Sequence, residues 1–578
     1  MKWFPAFSFR RSWQARVVLV LLLLVGTATF LMHDWDGQQL LLFRTPLPEQ
    51  KEMGQRALSV LVDNSDQQEL SIPWKYTDAS KPRRDFIKKM AQFAWKGYYD
   101  LARGADELRP VSGEPYNWYL NHSLLSTPVD SLDTLLLMGL KEEYLQAKQL
   151  VLETFDPFID EEVSLFETNI RIVGGLLSAY DLEGDVAFLS MAKKVADSLL
   201  PAFETPTGIP VNWVNPKTGK IRSKDDWVFL SQAGTLSLEF QYLSDITGDR
   251  KYADRALFAM EQVYAAKRPY ADLHSMVVGT TKLEYKSDTY GIGASLDSFY
   301  EYLLKFWVST GDKSYRQRYD RWVLELKRVI MKVSSNQKYV YFPSANLISG
   351  RWTHESSFHH LSCFIGGLLS LGAVTQHDAS TKDDFNVGRR ATNTCFQAYA
   401  STATGLGAEI VYGENLYIED PSYYQRPETV ESIFYMWRFT HDPIYREWGW
   451  NITQSIEKHL KVENGYAGLQ HVQHPGGYND MQQSFFLAET LKYLFLLFSD
   501  DSVLPLSHYV FNTEAHPLSV RGQGRRRNPQ RFVPLPSDQD FPGWERGRKV
   551  GELWPPPPPP PPPSQIPTPQ SNATLGED

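Results

Sequence analysis

The stretch AGTLSLEFQYLSDITGD, residues 233–249, contains the pattern that decides the fold. An apolar helical segment ends in a short turn of glycine and aspartate, and a second helical segment follows directly. The same kind of turn recurs as LEGD (182–185), STGD (309–312), TQHD (375–378) and FTHD (439–442). The aspartates that end the five turns follow one another at intervals of 64, 63, 66 and 64 residues. This period predicts a repeated pair of antiparallel helices.

Residues 80–515 accommodate about seven such pairs. Apolar residues recur at steps of three and four, as in Ile87, Met90, Ala91 and Ala94, whereas strand signals are sparse. An open solenoid of hairpins needs terminal repeats with a polar outer face, and neither end of the repeat region has this pattern. We therefore predict an all-α fold that closes on itself.

The two ends of the chain differ in composition from the repeat region. Residues 17–32, VVLVLLLLVGTATFLM, follow four basic residues, which predicts a membrane anchor with residues 1–16 in the cytoplasm and the rest in the lumen. Cleavage near Gly26 or Ala28 is the alternative. Residues 33–80 are typical of a stem, and residues 521–578, with nine consecutive prolines at 555–563, of a disordered tail.

Composition limits the function classes. A net charge of −9 and a pI near 5.9 argue against a nucleic-acid partner. There is no CxxC, P-loop or G-x-S-x-G motif, and the HExxxH of residues 354–359 lacks the spacing of a zinc-protease helix. The two cysteines would be buried thiols in the cytosol or a disulfide in a secretory compartment. The sequons at Asn121, Asn451 and Asn572 agree with a lumenal chain.

Polar residues recur in register upstream of the turns. They are Glu167, Gln232, Asp297, His360 and Glu428, each 14 to 18 residues before a turn aspartate. If the first helices of the pairs lie parallel to one another in one barrel, these side chains meet at one end of that barrel. A ring of carboxylates there is suited to acid–base chemistry on a neutral polyol.

Neighbouring residues extend this pattern. Glu301 follows Asp297 on one helix face, and Glu431 follows Glu428, where Pro427 suits the first helical position. Glu489 interrupts a long apolar run, which predicts a buried or pocket position. Each of these residues alone would be read as a cap or an ion-pair partner.

At these residues the chain resembles the class I α-1,2-mannosidases, glycoside hydrolase family 47. The matching blocks are VDSLDTLLLMGL (129–140), FETNIRIVGGLLSAY (166–180), residues 233–249, LDSFYEYLLK (296–305), HLSCFIGG (360–367), RPETVES (426–432), SFFLAETLKYLFLLFSDD (484–501) and VFNTEAHPL (510–518). The resemblance covers about residues 85–520. It implies an (α/α)₇ barrel as the catalytic domain, residues 81–520, and an inverting, calcium-dependent hydrolase that trims high-mannose N-glycans.

The resemblance also implies roles for individual residues. Glu167 would be the general acid, Glu428 the general base, and Asp297 a third catalytic carboxylate. Thr513 would bind Ca²⁺, with water molecules held by Glu428, Glu489 and Glu514. The substrate-binding residues would be Arg171, His360, Arg426, Glu431, Phe485 and Glu489. Cys363 and Cys395 would form the disulfide of the family. Gly174–Gly175 and Gly366–Gly367 are expected to serve close helix packing.

Two positions depart from the family pattern. His359 stands where many members have aspartate, and Ser295 where members of the endoplasmic reticulum tend to have arginine and Golgi members leucine. The missing arginine favours removal of several mannoses. We expect a monomer anchored in the endoplasmic reticulum or Golgi membrane. The alternatives are a mannosidase-like factor in glycoprotein degradation, which would recognise or trim glycans on misfolded proteins, and a helical scaffold without activity.

Overall fold

The computed structural model describes residues 80–521 apart from 223–224, 268–269, 271 and 377–378. The predicted cytoplasmic segment, the anchor at 17–32, nearly all of the stem and the proline-rich tail lie outside these residues. None of the described helices is long and apolar enough to span a bilayer.

Helices make up most of the described chain. They are α1 (Lys81–Leu101), α2 (Ser126–Leu137), α3 (Lys141–Thr154), α4 (Gly174–Glu183), α5 (Val186–Leu199), α6 (Ser237–Thr247), α7 (Lys251–Ala265), α8 (Asp297–Thr310), α9 (Lys313–Glu325), α10 (Ile365–Val374), α11 (Ala379–Ala400), α12 (Glu428–Thr440), α13 (Pro443–His459) and α14 (Lys492–Leu497). Shorter helices are Leu165–Glu167, Leu230–Gly234, the π-helices Thr168–Val173, Leu326–Ile330 and Phe486–Leu491, and the 3₁₀ helices Leu200–Phe203 and His360–Phe364.

These helices form two concentric rings. Each even-numbered helix packs against the next even-numbered one, and the π-helix Phe486–Leu491, which leads into α14, packs on α2 and closes the inner ring. Each odd-numbered helix packs outside an inner helix, with α1 outside α14. The inner helix α10 is buried on all sides, whereas the outer helix α5 buries one face. Within the described residues the barrel thus has seven helix pairs, and the predicted closed ring is confirmed.

The recurring turns have two parts with separate functions. Gly184, Gly248 and Gly311 end an inner helix in the left-handed region, at φ 88°, 75° and 81°. Asp185, Asp312 and Asp442 cap the next outer helix, accepting a hydrogen bond from the N–H two residues on, at 2.9, 2.8 and 3.0 Å. Asp378 of the fourth turn lies outside the described residues.

Short antiparallel strands occupy the loops, and the sequence pattern did not predict them. They are β1 (Glu107–Arg109), β2 (Glu114–Tyr116), β3 (Val163–Ser164), β4 (Trp213–Val214), β5 (Trp227–Phe229), β6 (Val277–Gly279), β7 (Thr289–Tyr290), β8 (Lys332–Val333), β9 (Val340–Tyr341), β10 (Ala345–Ile348), β11 (Arg351–His354), β12 (Ser357–His359), β13 (Ile410–Tyr412), β14 (Ile418–Asp420), β15 (Lys461–Val462), β16 (Gly465–Tyr466), β17 (Gly468–Leu469), β18 (Tyr478–Asn479), β19 (Tyr509–Phe511) and β20 (Pro517–Ser519). They pair in order, except for the three-stranded sheets β11-β10-β7 and β12-β13-β14.

The β19–β20 hairpin determines the shape of the barrel interior. Its register pairs Tyr509 with Ser519 and Phe511 with Pro517, and its strands pack on α8 and α4. The connecting residues, from Asn512 to His516, lie inside the inner ring, and Thr513 alone among them is not fully buried. The hairpin tip therefore closes the barrel interior below the site.

The disulfide and the packing of two glycines agree with the predictions made from the sequence. Cys363 and Cys395 form a disulfide, as predicted, which ties the helix His360–Phe364 to α11. A Cβ at Gly366 would lie 2.2 Å from Thr392 Oγ1, and one at Gly175 2.9 Å from the Val129 carbonyl oxygen. Both glycines thus permit close approach between helices, which confirms their predicted role.

Candidate active site

A cavity of about 300 Å³ opens at the amino-terminal ends of the inner helices. Nearly all of the predicted site residues line it: Glu167, Arg171, Asp297, Arg426, Glu428, Glu431, Phe485, Glu489 and Thr513, together with Gln232, Glu301 and Glu514. His360 does not line the cavity, and it lies behind Glu428. The register argument therefore placed four of its five residues on one cavity wall.

Arg171 joins the two sides of the cavity. Its Nε donates to Glu167 Oε2 at 2.9 Å, and its guanidinium also contacts Glu514 and lies 3.6 Å from Asp130. It sits between the rings of Trp118 and Phe485, 5.2 and 5.6 Å from their centroids. Burial alone would lower the pKa of this guanidinium, but the charges of Glu514, Glu167 and Asp130 outweigh burial and raise it. Arg171 thus holds Glu167 in place as a fixed cation.

Asp297 is the first residue of α8, and its Oδ1 accepts from the Ser298 N–H at 2.8 Å. Burial raises the pKa of this carboxyl to about 7, and the charges of Glu301 and Glu428 act in the same direction. The Ser298 hydrogen bond opposes the shift but does not cancel it. Asp297 can therefore hold a proton near neutral pH.

Glu428 is the first residue of α12, where Pro427 precedes the helix instead of beginning it. Burial raises the pKa of this carboxyl, but the hydrogen bond and charge of His360 and the charge of Arg426 outweigh burial and lower it. His360 Nδ1 lies 2.8 Å from Glu428 Oε2, and its Nε2 lies 2.6 Å from the Tyr399 hydroxyl. Because ionised Glu428 only accepts, Nδ1 carries the proton that faces it. Glu428 is thus held ionised, as a general base must be.

Arg426 borders the same wall. Its Nε donates to both carboxylate oxygens of Glu409, at 2.9 and 2.7 Å. The buried ion pair raises the pKa of Arg426, although burial alone would lower it. A fixed cation therefore stands beside the Glu428 carboxylate.

Acidic residues surround Thr513 at the base of the cavity. Glu431, Glu489 and Glu514 are buried there, and the Thr513 hydroxyl donates to Glu301 Oε2 at 2.6 Å. Burial raises the pKa of Glu489 well above its ordinary value, and repulsion from Glu514, Glu428 and Glu431 adds to the effect. A bound cation would relieve this repulsion.

The donor atoms at this base fit a hard, partly hydrated cation. No three His, Cys, Asp or Glu side chains of the described residues are arranged to hold a metal ion directly. The Thr513 carbonyl accepts none of the hydrogen bonds found within the described residues, and its hydroxyl gives its proton to Glu301. Thr513 thus offers two oxygens, and the nearby carboxylates can hold water, which is the chemistry that Ca²⁺ accepts.

A second group of buried polar residues supports the hairpin tip. Asp133 contacts Lys492 at 2.9 Å and His516 Nδ1 at 2.9 Å, and His516 Nε2 lies 3.3 Å from Asp130. Lys492 also donates to the Ala515 carbonyl at 2.7 Å. Sequence reasoning missed this group, although two aspartates within the apolar run 129–140 were a signal for it.

The model of glycosyl hydrolase family 47 matches residues 90–520. The chain belongs to this family. Among curated relatives, mannosyl-oligosaccharide alpha-1,2-mannosidase IA of Drosophila melanogaster is 42% identical over 76% of this chain and 68% of its own length. The endoplasmic reticulum mannosyl-oligosaccharide 1,2-alpha-mannosidase of Rattus norvegicus is 37% identical over 77% of this chain and 69% of its own.

A solved structure agrees with the family 47 membership. The alpha-1,2-mannosidase from Trichoderma reesei superposes with a TM-score of 0.72 at 27% identity, covering 76% of this chain and 99% of that protein. The helical barrel and its hydrolase class are therefore established for this family 47 chain.

Proposed function

We propose that the chain is an inverting exo-α-1,2-mannosidase that removes terminal α-1,2-linked mannose from high-mannose N-glycans. The observation that carries this proposal is the closed-ended cavity with Glu167, Asp297 and Glu428 on its wall. The curated relatives described above are named for the same activity.

The carboxylates divide the chemistry between them. Glu428, held ionised by His360 and Arg426, takes a proton from a water molecule whose oxygen attacks the anomeric carbon. The C–O bond to the leaving sugar breaks, and the protonated form of Glu167, positioned by Arg171, gives up its proton through water to the departing oxygen and becomes a carboxylate. Asp297 holds its proton near neutral pH and can hydrogen-bond to the sugar or the leaving group. An inverting mechanism requires the water and the leaving group to lie on opposite faces of the sugar ring.

We propose Ca²⁺ as the cofactor. Thr513 would hold it through the carbonyl and hydroxyl oxygens, and Glu428, Glu489 and Glu514 would hold its water molecules. When bound, the ion supplies positive charge and orients vicinal sugar hydroxyls. Without such a charge, burial and repulsion from Glu514, Glu428 and Glu431 raise the pKa of Glu489 well above its ordinary value.

The shape of the cavity favours an exo-acting enzyme. The hairpin tip closes its base, so a chain end enters and an internal sugar cannot pass through. Phe485 offers a ring for stacking, and Arg171, Arg426, Glu431 and Glu489 offer charged partners for hydroxyls. Ser295 also lines the cavity, and its short side chain leaves room for several branches of the glycan.

We propose the endoplasmic reticulum or the Golgi as the compartment, with residues 17–32 as a type II anchor and the barrel in the lumen as a monomer. The disulfide supports an oxidising compartment. Exposure of Asn121 and Asn451 on the barrel is compatible with glycosylation there.

A time course of the purified chain on a Man₉ N-glycan, with calcium or with a chelator, tests the proposal. Loss of several mannoses that requires calcium is the expected result. Arrest after one mannose would contradict the broad trimming attributed to Ser295. No release in either arm would favour the glycan-recognition alternative.

A further inference from the structure

Helix α8 holds the hairpin tip at three points. Lys305 Nζ donates to the Asn512 carbonyl at 3.3 Å, the Thr513 N–H donates to the Tyr302 hydroxyl at 3.3 Å, and the Thr513 hydroxyl donates to Glu301 Oε2 at 2.6 Å. The helix that begins with Asp297 therefore also fixes Thr513.

Lys305 is central to this arrangement. It is 1% exposed, it forms an ion pair with Glu301, and its Nζ lies 3.8 Å from Glu431 Oε1. The two arginines that line the cavity are bound elsewhere, Arg171 to Glu167 and Glu514, and Arg426 to Glu409. Among the described residues at the base of the cavity, Lys305 is thus the cation that lies against Glu301.

The direction of the hydrogen bond between Thr513 and Glu301 explains why the Lys305–Glu301 contact matters for metal binding. A hydroxyl that binds a metal ion must turn a lone pair to the ion and its proton elsewhere. Glu301 Oε2 takes the Thr513 proton while Glu301 Oε1 is held by Lys305. Fixing Glu301 therefore fixes the orientation of the Thr513 hydroxyl.

We infer that Lys305 is a positioning residue for the cation site, because it holds Glu301 and the Asn512 carbonyl so that both Thr513 oxygens face the cavity. This inference rests on the proposed calcium site. A purely electrostatic function predicts the opposite sign, since removal of a nearby positive charge makes a cation bind more tightly.

Calcium titration of the purified, chelator-treated full-length chain tests the inference, with the dissociation constant measured by calorimetry using calcium chloride alone. Lys305→Met should weaken calcium binding by about tenfold or more, the usual cost of losing a group that orients a metal ligand. Lys305→Arg, which keeps the charge and the donors, should recover most of the affinity. If Lys305→Met does not fold, Lys305→Gln, which removes the charge but keeps an N–H donor group, takes its place.

Lys492→Met is the matched control. Lys492 is equally buried and also donates to the hairpin tip, through the Ala515 carbonyl, but it does not contact Glu301 or Thr513. Its loss should lower the melting temperature without a comparable loss of calcium affinity. Equal weakening by both variants, or unchanged or tighter binding by Lys305→Met, would overturn the inference. A wild-type chain that binds no calcium would overturn the calcium site itself.

Discussion

Asp297 and Glu428 occupy the same position on two inner helices, yet their pKa values move in opposite directions. Both begin a helix, so the helix dipole favours ionisation of both. Their neighbours differ: Asp297 faces Glu301 and Glu428, whereas Glu428 faces His360 and Arg426. Charged neighbours, and not helix position, therefore decide which of these two carboxyls keeps a proton near neutral pH.

The pH dependence of Asp297 is the first prediction. With a pKa of about 7, Asp297 loses its proton as pH rises through neutrality, so kcat/KM should fall above about pH 7 if the protonated form is the active one. Asp297→Asn should lower kcat by about 100-fold or more, and the remaining activity should lack this alkaline decline. Steady-state rates between pH 5 and pH 9 provide the measurement. A decline that persists unchanged in the variant would assign it to another group.

Tyr399 controls the orientation of the base indirectly. Its hydroxyl lies 2.6 Å from His360 Nε2, and this contact fixes the ring whose Nδ1 proton faces Glu428. Tyr399→Phe should reduce kcat by about three- to tenfold, the value of one neutral hydrogen bond, with little change in KM. Single-turnover rates test this. The control is Tyr315→Phe on α9, because the Tyr315 hydroxyl has no hydrogen-bond partner within the described residues. Equal losses of kcat in both variants would show that the Tyr399–His360 contact does not act on Glu428.

Residue patterns predicted the residues that line the cavity better than the residues that hold those side chains in place. Glu167, Asp297 and Glu428 share a register that follows from the repeat, and the family resemblance added Thr513. Lys305 and Tyr399 could not be found this way, because the contacts that give them a function cross to distant segments, from Lys305 to Asn512, 207 positions along the chain, and from Tyr399 to His360. In the sequence alone, the polar groups of these two side chains cannot be told apart from those of helix caps or ion-pair partners.

At the scale of elements, helix α2 anchors the β19–β20 hairpin. Asp133 on α2 is 0% exposed and contacts both Lys492 and His516. Breaking such a buried pair leaves an uncompensated charge, which costs more than the pair contributes when intact.

Lys492→Met should therefore lower the free energy of unfolding by roughly 3–5 kcal/mol. The exposed pair Lys96–Asp100 on α1 gives the comparison, since Lys96→Met should cost less than about 1 kcal/mol. Thermal melts and urea titrations of both variants measure the difference. Similar losses would mean that Asp133 is neutralised by His516 alone.

The elements themselves were predicted unevenly. Helices and turns followed from periodicity and from the Gly–Asp punctuation, which the φ values and caps at Gly184, Asp185 and Gly311 confirm. The strands, such as β3 and β19, are two to four residues long and depend on pairing with distant segments. So short a run carries no readable alternation of apolar and polar residues.

At the scale of the whole molecule, the ring is closed by its two ends. Helix α1 packs outside α14 and also reaches both neighbouring outer helices, through Arg83 to Glu447 on α13 at 2.7 Å and through Trp95 to Gln146 on α3 at 2.9 Å. The first and last helices of the barrel therefore form one pair, although almost the whole domain separates them in sequence.

This closure predicts all-or-none folding of the barrel. A chain that ends at residue 485 lacks the π-helix Phe486–Leu491, α14 and the hairpin, so the buried faces of α2 and α12 lose their cover and the cavity loses its base. An open array of helix pairs would keep most of its stability after such a loss, because each repeat contacts only its neighbours. We expect the truncated chain to aggregate or to melt without cooperativity, as measured by near-ultraviolet circular dichroism and limited proteolysis beside the full-length chain. A cooperative transition within a few degrees of the full-length protein would show that the pairs are stable one by one, and that ring closure contributes to the site but not to the fold.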